Sequence, residues 1–249
     1  MSGAVKLSGA GRLIGVGVGP GDPDLLTLKA LRAVQSADVI AHFAKRGNVS
    51  NARTVVTPHL RAGVLELPLL YPVTTEISTA DPAYRAAIEG FFDTAAADVA
   101  AHLDAGRSVA VLSEGDPLFF GSYMHLHVRL VRRYPTDVIP GVTGMSGCWS
   151  AAGMPIAQGD DVLTVLPGTL AESELTRRFL QNDSTVVMKV GRNLGKVRRA
   201  LDSAGRLEQA IYVERGTTDR QRLMPLADLQ ADAAPYFSIV LVAARTWHP

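Results

Sequence analysis

The sequence predicts an α/β protein of two domains, and three observations carry that prediction. Short apolar runs alternate with helix-length segments along nearly the whole chain, the rhythm of strands alternating with helices. Two of the runs, Val109 to Leu112 and Asp137 to Ile139, feed glycine- and hydroxyl-rich loops that open helices, where open α/β sheets bind their ligands. The third is size: 249 residues, 47% hydrophobic and 20% charged, suit one large or two modest cores. The rhythm pauses over Gly153 to Asp161, where turn formers replace periodic apolar residues. A boundary is therefore expected between Pro140 and that stretch and is placed at Pro140. This gives a flexible tail over 1–11, an N-terminal α/β domain over 12–139 and a C-terminal α/β domain over 140–249.

Taken in order, Arg12 to Val18 reads as an apolar strand running into Gly19-Pro20-Gly21-Asp22-Pro23, with Asp24 capping a helix from Leu25 to about Gln35. Ala37 to Ala41 is the second strand. His42 to Arg61 reads as a polar connection whose cations Lys45, Arg46, Arg53 and Arg61 either meet solvent or face an anionic ligand. Val64 to Leu70 is a third strand, ended by Tyr71-Pro72 and a Thr-rich stretch to Thr79. Asp81-Pro82 then caps a long Ala-rich helix to about Ala105, which Gly106 ends. After the strand at Val109, a helix is expected from about Phe119 to Arg133. The last third reads as strand Val162 to Leu166, helix Glu172 to Gln181, strand Thr185 to Lys189, helix Leu194 to Ala204, and strands Ala210 to Glu214 and Ser238 to Ala243.

Composition removes several function classes. A net charge of +1 argues against a general nucleic-acid surface, and no apolar run approaches the length of a membrane span. Met1 to Gly11 lacks the pattern of a secretion signal, so a cytoplasmic location is expected. The single cysteine, Cys148, excludes an internal disulfide and a cysteine-rich zinc site and is expected to be a buried small hydrophobe. His125 and His127 are two apart on a predicted helix and so share no face; no metal site is expected.

The stretch VAVLSEGDPLFFGS, Val109 to Ser122, combines a buried strand, a loop and a helix start. Ser113, Glu114, Gly115 and Asp116 supply hydroxyl, carboxylates and bare backbone, and the aromatic pair Phe119 and Phe120 follows, so a flat, partly apolar ligand fits there. A plain turn has the same composition. PGVTGMSGCWSAAG, from Pro140, is a second such junction, with hydroxyls at Thr143 and Ser146. Gly15, Gly17 and Gly19, with Asp38 as a ribose-binding acid, suggest a Rossmann-type nucleotide enzyme instead. Pro20, Pro23 and the missing third glycine oppose it.

Five segments, VGVGPGDPDLLTLKA, LSEGDPLFFGS, PGVTGMSGCWSAAGMP, VVMKVGRNL and YVERGTT, in this order and at these separations, resemble the tetrapyrrole methylases, which methylate precorrins and uroporphyrinogen from S-adenosylmethionine. The resemblance covers nearly the whole chain. It implies two α/β domains enclosing S-adenosylmethionine in the cleft between them, S-adenosylhomocysteine as product, a tetrapyrrole substrate and a homodimer. Where the family commonly has G-G-D-P, this chain has Glu114-Gly115-Asp116-Pro117, and Gly144 stands where a second hydroxyl usually follows Thr143.

Transfer of methyl from a cationic sulfonium to a neutral, enamine-like carbon disperses charge, so positioning dominates and can supply on the order of 7 to 11 kcal/mol. By the resemblance, the cofactor is expected at Leu112, Ser113, Glu114, Gly115, Asp116, Phe119, Thr143, Gly144, Met188, Val213 and Glu214, with Met188 readable equally as core. The substrate's carboxylates call for cations: Lys189, Arg192 and Arg215 from the motif loops, then Lys45, Arg46 and Arg53. Methylating a carbon that bears hydrogen releases a proton, for which Tyr123, Glu114 and Asp116 are the catalytic candidates. A non-catalytic tetrapyrrole or nucleotide sensor is a further reading, against which stands the lack of any added effector segment.

Overall fold

Five parallel strands make the first sheet: β1 (Leu13–Gly17), β2 (Val39–Lys45), β3 (Leu65–Tyr71), β4 (Val109–Ser113) and β5 (Thr136–Ile139), in the order β3-β2-β4-β1-β5. The computed structural model describes residues 9–72 and 82–244. The Asp81 cap, the Thr-rich stretch to Thr79 and most of the expected tail lie outside the described residues. Contacts divide the chain into two compact units, residues 1–143 and 144–249. At the end of the tail, Gly11 N–H donates to the Leu103 carbonyl at 2.7 Å.

Alternation along each strand sorts the first unit's core onto two faces. Val16, Ile40, Ala110 and Leu112 pack with α1 (Leu28–Ser36) and α2 (Asn51–Val56). Leu13, Val39, Ala41, Val109 and Val111 pack with α3 (Pro82–Asp104) and α4 (Tyr123–Leu130). Every residue of β4 is buried, as its unbroken apolar run predicts, and each buried Val or Leu side chain contributes roughly 1.5–3 kcal/mol.

Three element starts differ from the sequence reading. Asp22, not Asp24, is the capping carboxylate: it accepts from Asp24 N–H at 2.9 Å in a 3-10 turn over Pro23–Leu25. The helix then begins beyond it, where Thr27 Oγ1 accepts from Ala30 N–H at 3.1 Å. The polar connection from His42 is partly ordered structure, since β2 continues to Lys45 and Ser50 caps α2 by accepting from Arg53 N–H at 3.3 Å. His42 and Lys45 interrupt the apolar run and so conceal the strand. α4 opens at Tyr123 because Phe120 has φ 54°, a left-handed conformation that a helix cannot contain.

The second sheet has the order β6-β7-β10-β8-β9, from β6 (Leu163–Pro167), β7 (Ser184–Met188), β8 (Ala210–Glu214), β9 (Arg222–Pro225) and β10 (Ser238–Val242). β6 and β7 are parallel, whereas β10 runs antiparallel to both its neighbours and β9 antiparallel to β8. The sequence reading lacks β9, whose four residues are largely exposed and show no apolar alternation. α5 (Gly144–Ala151) brings Cys148 and partly buried Met145 and Trp149 onto one face with Val186, Val213, Ile239 and Leu241. α6 (Glu172–Gln181) and α7 (Leu194–Ser203) cover the other with Leu175, Phe179, Val197 and Leu201. Because β10 lies antiparallel between them, β7 and β8 run in the same direction and release their following loops at one edge. Val240 stands opposite Val187 on one side and Tyr212 on the other, which sets Met188 and Val213 level with each other.

Candidate active site

The loops that leave the carboxyl ends of β1, β4 and β5 are joined backbone to backbone. Gly115 N–H donates to the Gly19 carbonyl at 2.8 Å and receives the reverse bond at 3.4 Å. A Cβ on Gly141 would stand 2.2 Å from the Gly115 carbonyl oxygen, and one on Gly17 would stand 2.5 Å from Gly141 N. Only glycine allows that approach. Asp116 braces the same junction: Oδ1 accepts from Leu118 N–H at 2.9 Å and Oδ2 from Gly141 N–H at 3.2 Å.

This nest bears on two expectations. The Gly115 N–H is spent on Gly19, and Gly115, at φ 65°, shapes the loop that a ligand is expected to approach. Gly15 and Gly17 are packing glycines and not a phosphate cradle, since a Cβ on Gly15 would lie 2.4 Å from the Tyr123 ring. Asp38 precedes β2 at the amino-terminal edge of the sheet, where it accepts from Ser108 N–H at 2.8 Å and Ser108 Oγ at 2.7 Å. Those bonds hold its pKa below the ordinary carboxylate value. A ribose-binding acid belongs at the opposite edge, so the Rossmann reading fails.

Along the β4 loop the candidates separate by environment. Leu112 is buried among α1 and α2 residues and offers only main chain. The Ser113 hydroxyl is buried and has no hydrogen-bond partner among the described residues. Glu114 keeps solvent access while the surrounding protein mass pushes its carboxyl pKa up; Oε1 accepts from Ala52 N–H, at the start of α2, at 3.3 Å. Phe119 and Phe120 meet edge to face at 4.9 Å, beside an exposed Leu118. Tyr123, by contrast, is fully buried against Gly15, its hydroxyl 3.2 Å from His127 Nδ1, and burial raises its phenol pKa. The structure does not bring it to the loop surface.

The second unit's motif loops are built differently. Lys189, directly after β7, has φ 56°, and Arg215, directly after β8, has φ 48°. Thr217 has φ 72° and a buried Oγ1 without a partner among the described residues. Left-handed geometry costs a side-chain-bearing residue about 1–2 kcal/mol, which points to a use for the side chain. Thr217 went unselected in the sequence, because its strain leaves no compositional trace. Lys189, Arg192 and Arg215 are exposed, whereas Met188 is half-buried and Val213 buried on the α5 face. The buried Glu214 carboxylate accepts from Tyr212 Oη at 3.0 Å and stands 3.8 Å from Arg215 and 3.7 Å from Arg222. Gly144 begins α5, with Thr143 immediately before it in sequence, and burial pushes the Cys148 thiol to about 11, as a small core residue requires.

Of the first unit's cations, Arg53 is committed within the protein, its guanidinium reaching both Glu66 oxygens at 2.7 and 2.9 Å, with His42 Nε2 at 3.5 Å from the same carboxylate. Lys45 and Arg46 are exposed at the carboxyl end of β2. Among the described residues, no group of three His, Cys, Asp or Glu side chains could hold a metal ion, and no helix is long and apolar enough to cross a membrane.

Residues 12–230 match the family model of the Tetrapyrrole (Corrin/Porphyrin) Methylases. The chain belongs to the tetrapyrrole methylases. This methylase is 62% identical over 234 residues, 94% of its length and 96% of the relative's, to the precorrin-2 C(20)-methyltransferase of a Sinorhizobium species. It is 30% identical over 235 residues, 93% of its length and 96% of the relative's, to the cobalt-precorrin-2 C(20)-methyltransferase of Salmonella typhimurium. Its fold matches the crystal structure of uroporphyrin-III C-methyl transferase from Thermus thermophilus, complexed with S-adenosylhomocysteine, at a TM-score of 0.65 and 24% identity, covering 93% and 97% of the two chains.

Proposed function

We propose that this methylase transfers a methyl group from S-adenosylmethionine to C20 of precorrin-2, giving precorrin-3A and S-adenosylhomocysteine in cobalamin biosynthesis. The observation that carries the reading is the 62% identity, over 94% of the chain, to a precorrin-2 C(20)-methyltransferase. The lower identity to the cobalt-precorrin-2 enzyme, 30% against 62%, supports the metal-free macrocycle as the substrate.

Each unit supplies a donor that suits the cofactor: Ser113 Oγ in the first and Thr217 Oγ1 in the second are buried, have no hydrogen-bond partner among the described residues, and are the kind of group a bound ligand completes. In this reading Ser113, Thr143 and Gly144, with Leu112, Met188 and Val213 through their main chains, hold S-adenosylmethionine, whose sulfonium supplies an electrophilic methyl. Phe119 and Glu214 border it, and Asp116 and Gly115 keep the loop in shape. Lys189, Arg192 and Arg215, with Lys45 and Arg46, bind the substrate's carboxylates. Positioning of the two reactants supplies on the order of 7 to 11 kcal/mol of the barrier.

The test is incubation of the pure protein with metal-free and cobalt-loaded precorrin-2 in turn, with ¹³C-methyl S-adenosylmethionine. A single labelled methyl at C20 of the metal-free macrocycle is expected; label elsewhere, or on the cobalt form alone, overturns the reading. The working form is proposed to be a cytoplasmic homodimer, supported by family resemblance and by Leu65 and Leu70, exposed on edge strand β3. Light scattering that returned only the 26.5 kDa monomer would count against it.

A further inference from the structure

We infer that Glu114 is the catalytic base that takes the C20 proton once the methyl group is in place. The inference rests on the methylation reading above. As the bond from sulfur to methyl breaks and the bond from methyl to C20 forms, C20 holds both the methyl and its original hydrogen, and the positive charge passes to the macrocycle. The C20–H electron pair then returns to the conjugated system, and the proton goes to a base.

Three side chains of the β4 region could serve, and the geometry separates them. Tyr123 is fully buried behind Gly15, and its phenol gives up a proton less readily than usual. Asp116 has both carboxylate oxygens occupied by the N–H groups of Leu118 and Gly141. Glu114 alone of the three is exposed, and its carboxyl meets only main-chain N–H groups, that of Ala52 at 3.3 Å from Oε1 and that of its own residue.

Its surroundings favour proton acceptance. Desolvation by the surrounding protein mass raises its pKa, opposed only by its own backbone N–H and that of Ala52. Among the described residues, the charged and titratable groups of the helix bonded to it, of the strand beside β4 and of its own loop are Arg53 on α2, His42 and Lys45 on β2 and Asp116; none is among the causes of that rise. Arg53, Glu66 and His42 are engaged with one another. A base whose pKa moves toward the working pH is the more effective one.

The experiment compares full-length wild type, Glu114→Gln and Glu114→Asp with precorrin-2 under saturating S-adenosylmethionine. Glu114→Gln should lower kcat by roughly 10²- to 10³-fold and abolish the acid limb of the kcat–pH profile, whereas Glu114→Asp should retain that limb at a shifted pH. Deuterium at C20 should give a larger isotope effect on kcat in Glu114→Asp than in wild type. Two readouts do not depend on turnover. Calorimetry should give Glu114→Gln an unchanged affinity for S-adenosylhomocysteine, and carboxyl-labelled wild type should show a glutamate resonance that titrates above the ordinary range and is missing from Glu114→Gln. Should Glu114→Gln fail to fold, the Glu114→Asp profile and isotope effect decide. Wild-type kcat and pH profile in Glu114→Gln overturn the inference alone, as does loss of S-adenosylhomocysteine binding, which would make Glu114 a cofactor contact. Wild type inert toward precorrin-2 overturns the methylation reading, and the inference with it.

Discussion

The two units build the loops proposed to meet ligands, each at a strand's carboxyl end, in opposite ways. In the first, Gly17, Gly115 and Gly141 bring three loops within backbone contact, which Asp116 braces. In the second, Lys189, Arg215 and Thr217 hold left-handed conformations that glycine would adopt without cost. Glycine stands where the main chain must approach another main chain. A strained cation stands where the side chain itself is proposed to bind. The first arrangement suits the common grip on a shared cofactor, and the second suits contacts to a substrate's carboxylates.

The contrast can be broken from its structural side first. Arg206, in the second unit, is buried and donates to the carbonyls of Phe179, Asn182, Asp183 and Ala243, closing the end of α6. Arg206→Met leaves these acceptors in the core, and chemical denaturation should show a loss of about 4 kcal/mol. Gly141→Ala forces a methyl to within 2.2 Å of the Gly115 carbonyl and should cost about 3 kcal/mol by the same measurement, with weakened S-adenosylhomocysteine binding. Arg215→Gly should behave in the reverse sense, raising stability by up to about 1 kcal/mol while weakening tetrapyrrole binding.

A smaller effect reports on Glu114. Its folded pKa lies above the unfolded value, so the folded protein binds more protons; the stability this confers is present below pH 4.5 and is lost as pH rises through the raised value. Glu114→Gln removes that dependence. Its melting temperature relative to wild type should climb between pH 4.5 and neutrality, and a difference that stays flat across that range would contradict the raised pKa.

What the sequence made legible was periodic or compositional. The bounds of α6 and β8 match because an amphipathic ten-residue period and a short β-rich run have no competing reading. Alternation alone separated strands from helices in both units. The misses have local causes: His42 sits buried inside a strand that its polarity disguises, β9 has no pattern to detect, and Phe120 breaks a helix by conformation, not by type. Within the site, the glycine-rich loops were visible as motifs, but the partners of each group were not. No spacing rule reveals that Arg53 is spent on Glu66, that Asp116 is spent on Gly141, or that Tyr123 fills the space left by Gly15.

The proposed division of labour is tested most directly by calorimetric titration of Arg192→Ala with both ligands. Loss of one charge-assisted hydrogen bond costs about 1.5 to 3 kcal/mol, so affinity for the tetrapyrrole should fall roughly 10- to 150-fold while that for S-adenosylhomocysteine stays nearly constant. A folded Arg192→Ala that loses S-adenosylhomocysteine and keeps the tetrapyrrole would contradict the account, and the substrate's carboxylates would then have to be met by Lys45 and Arg46 in the first unit.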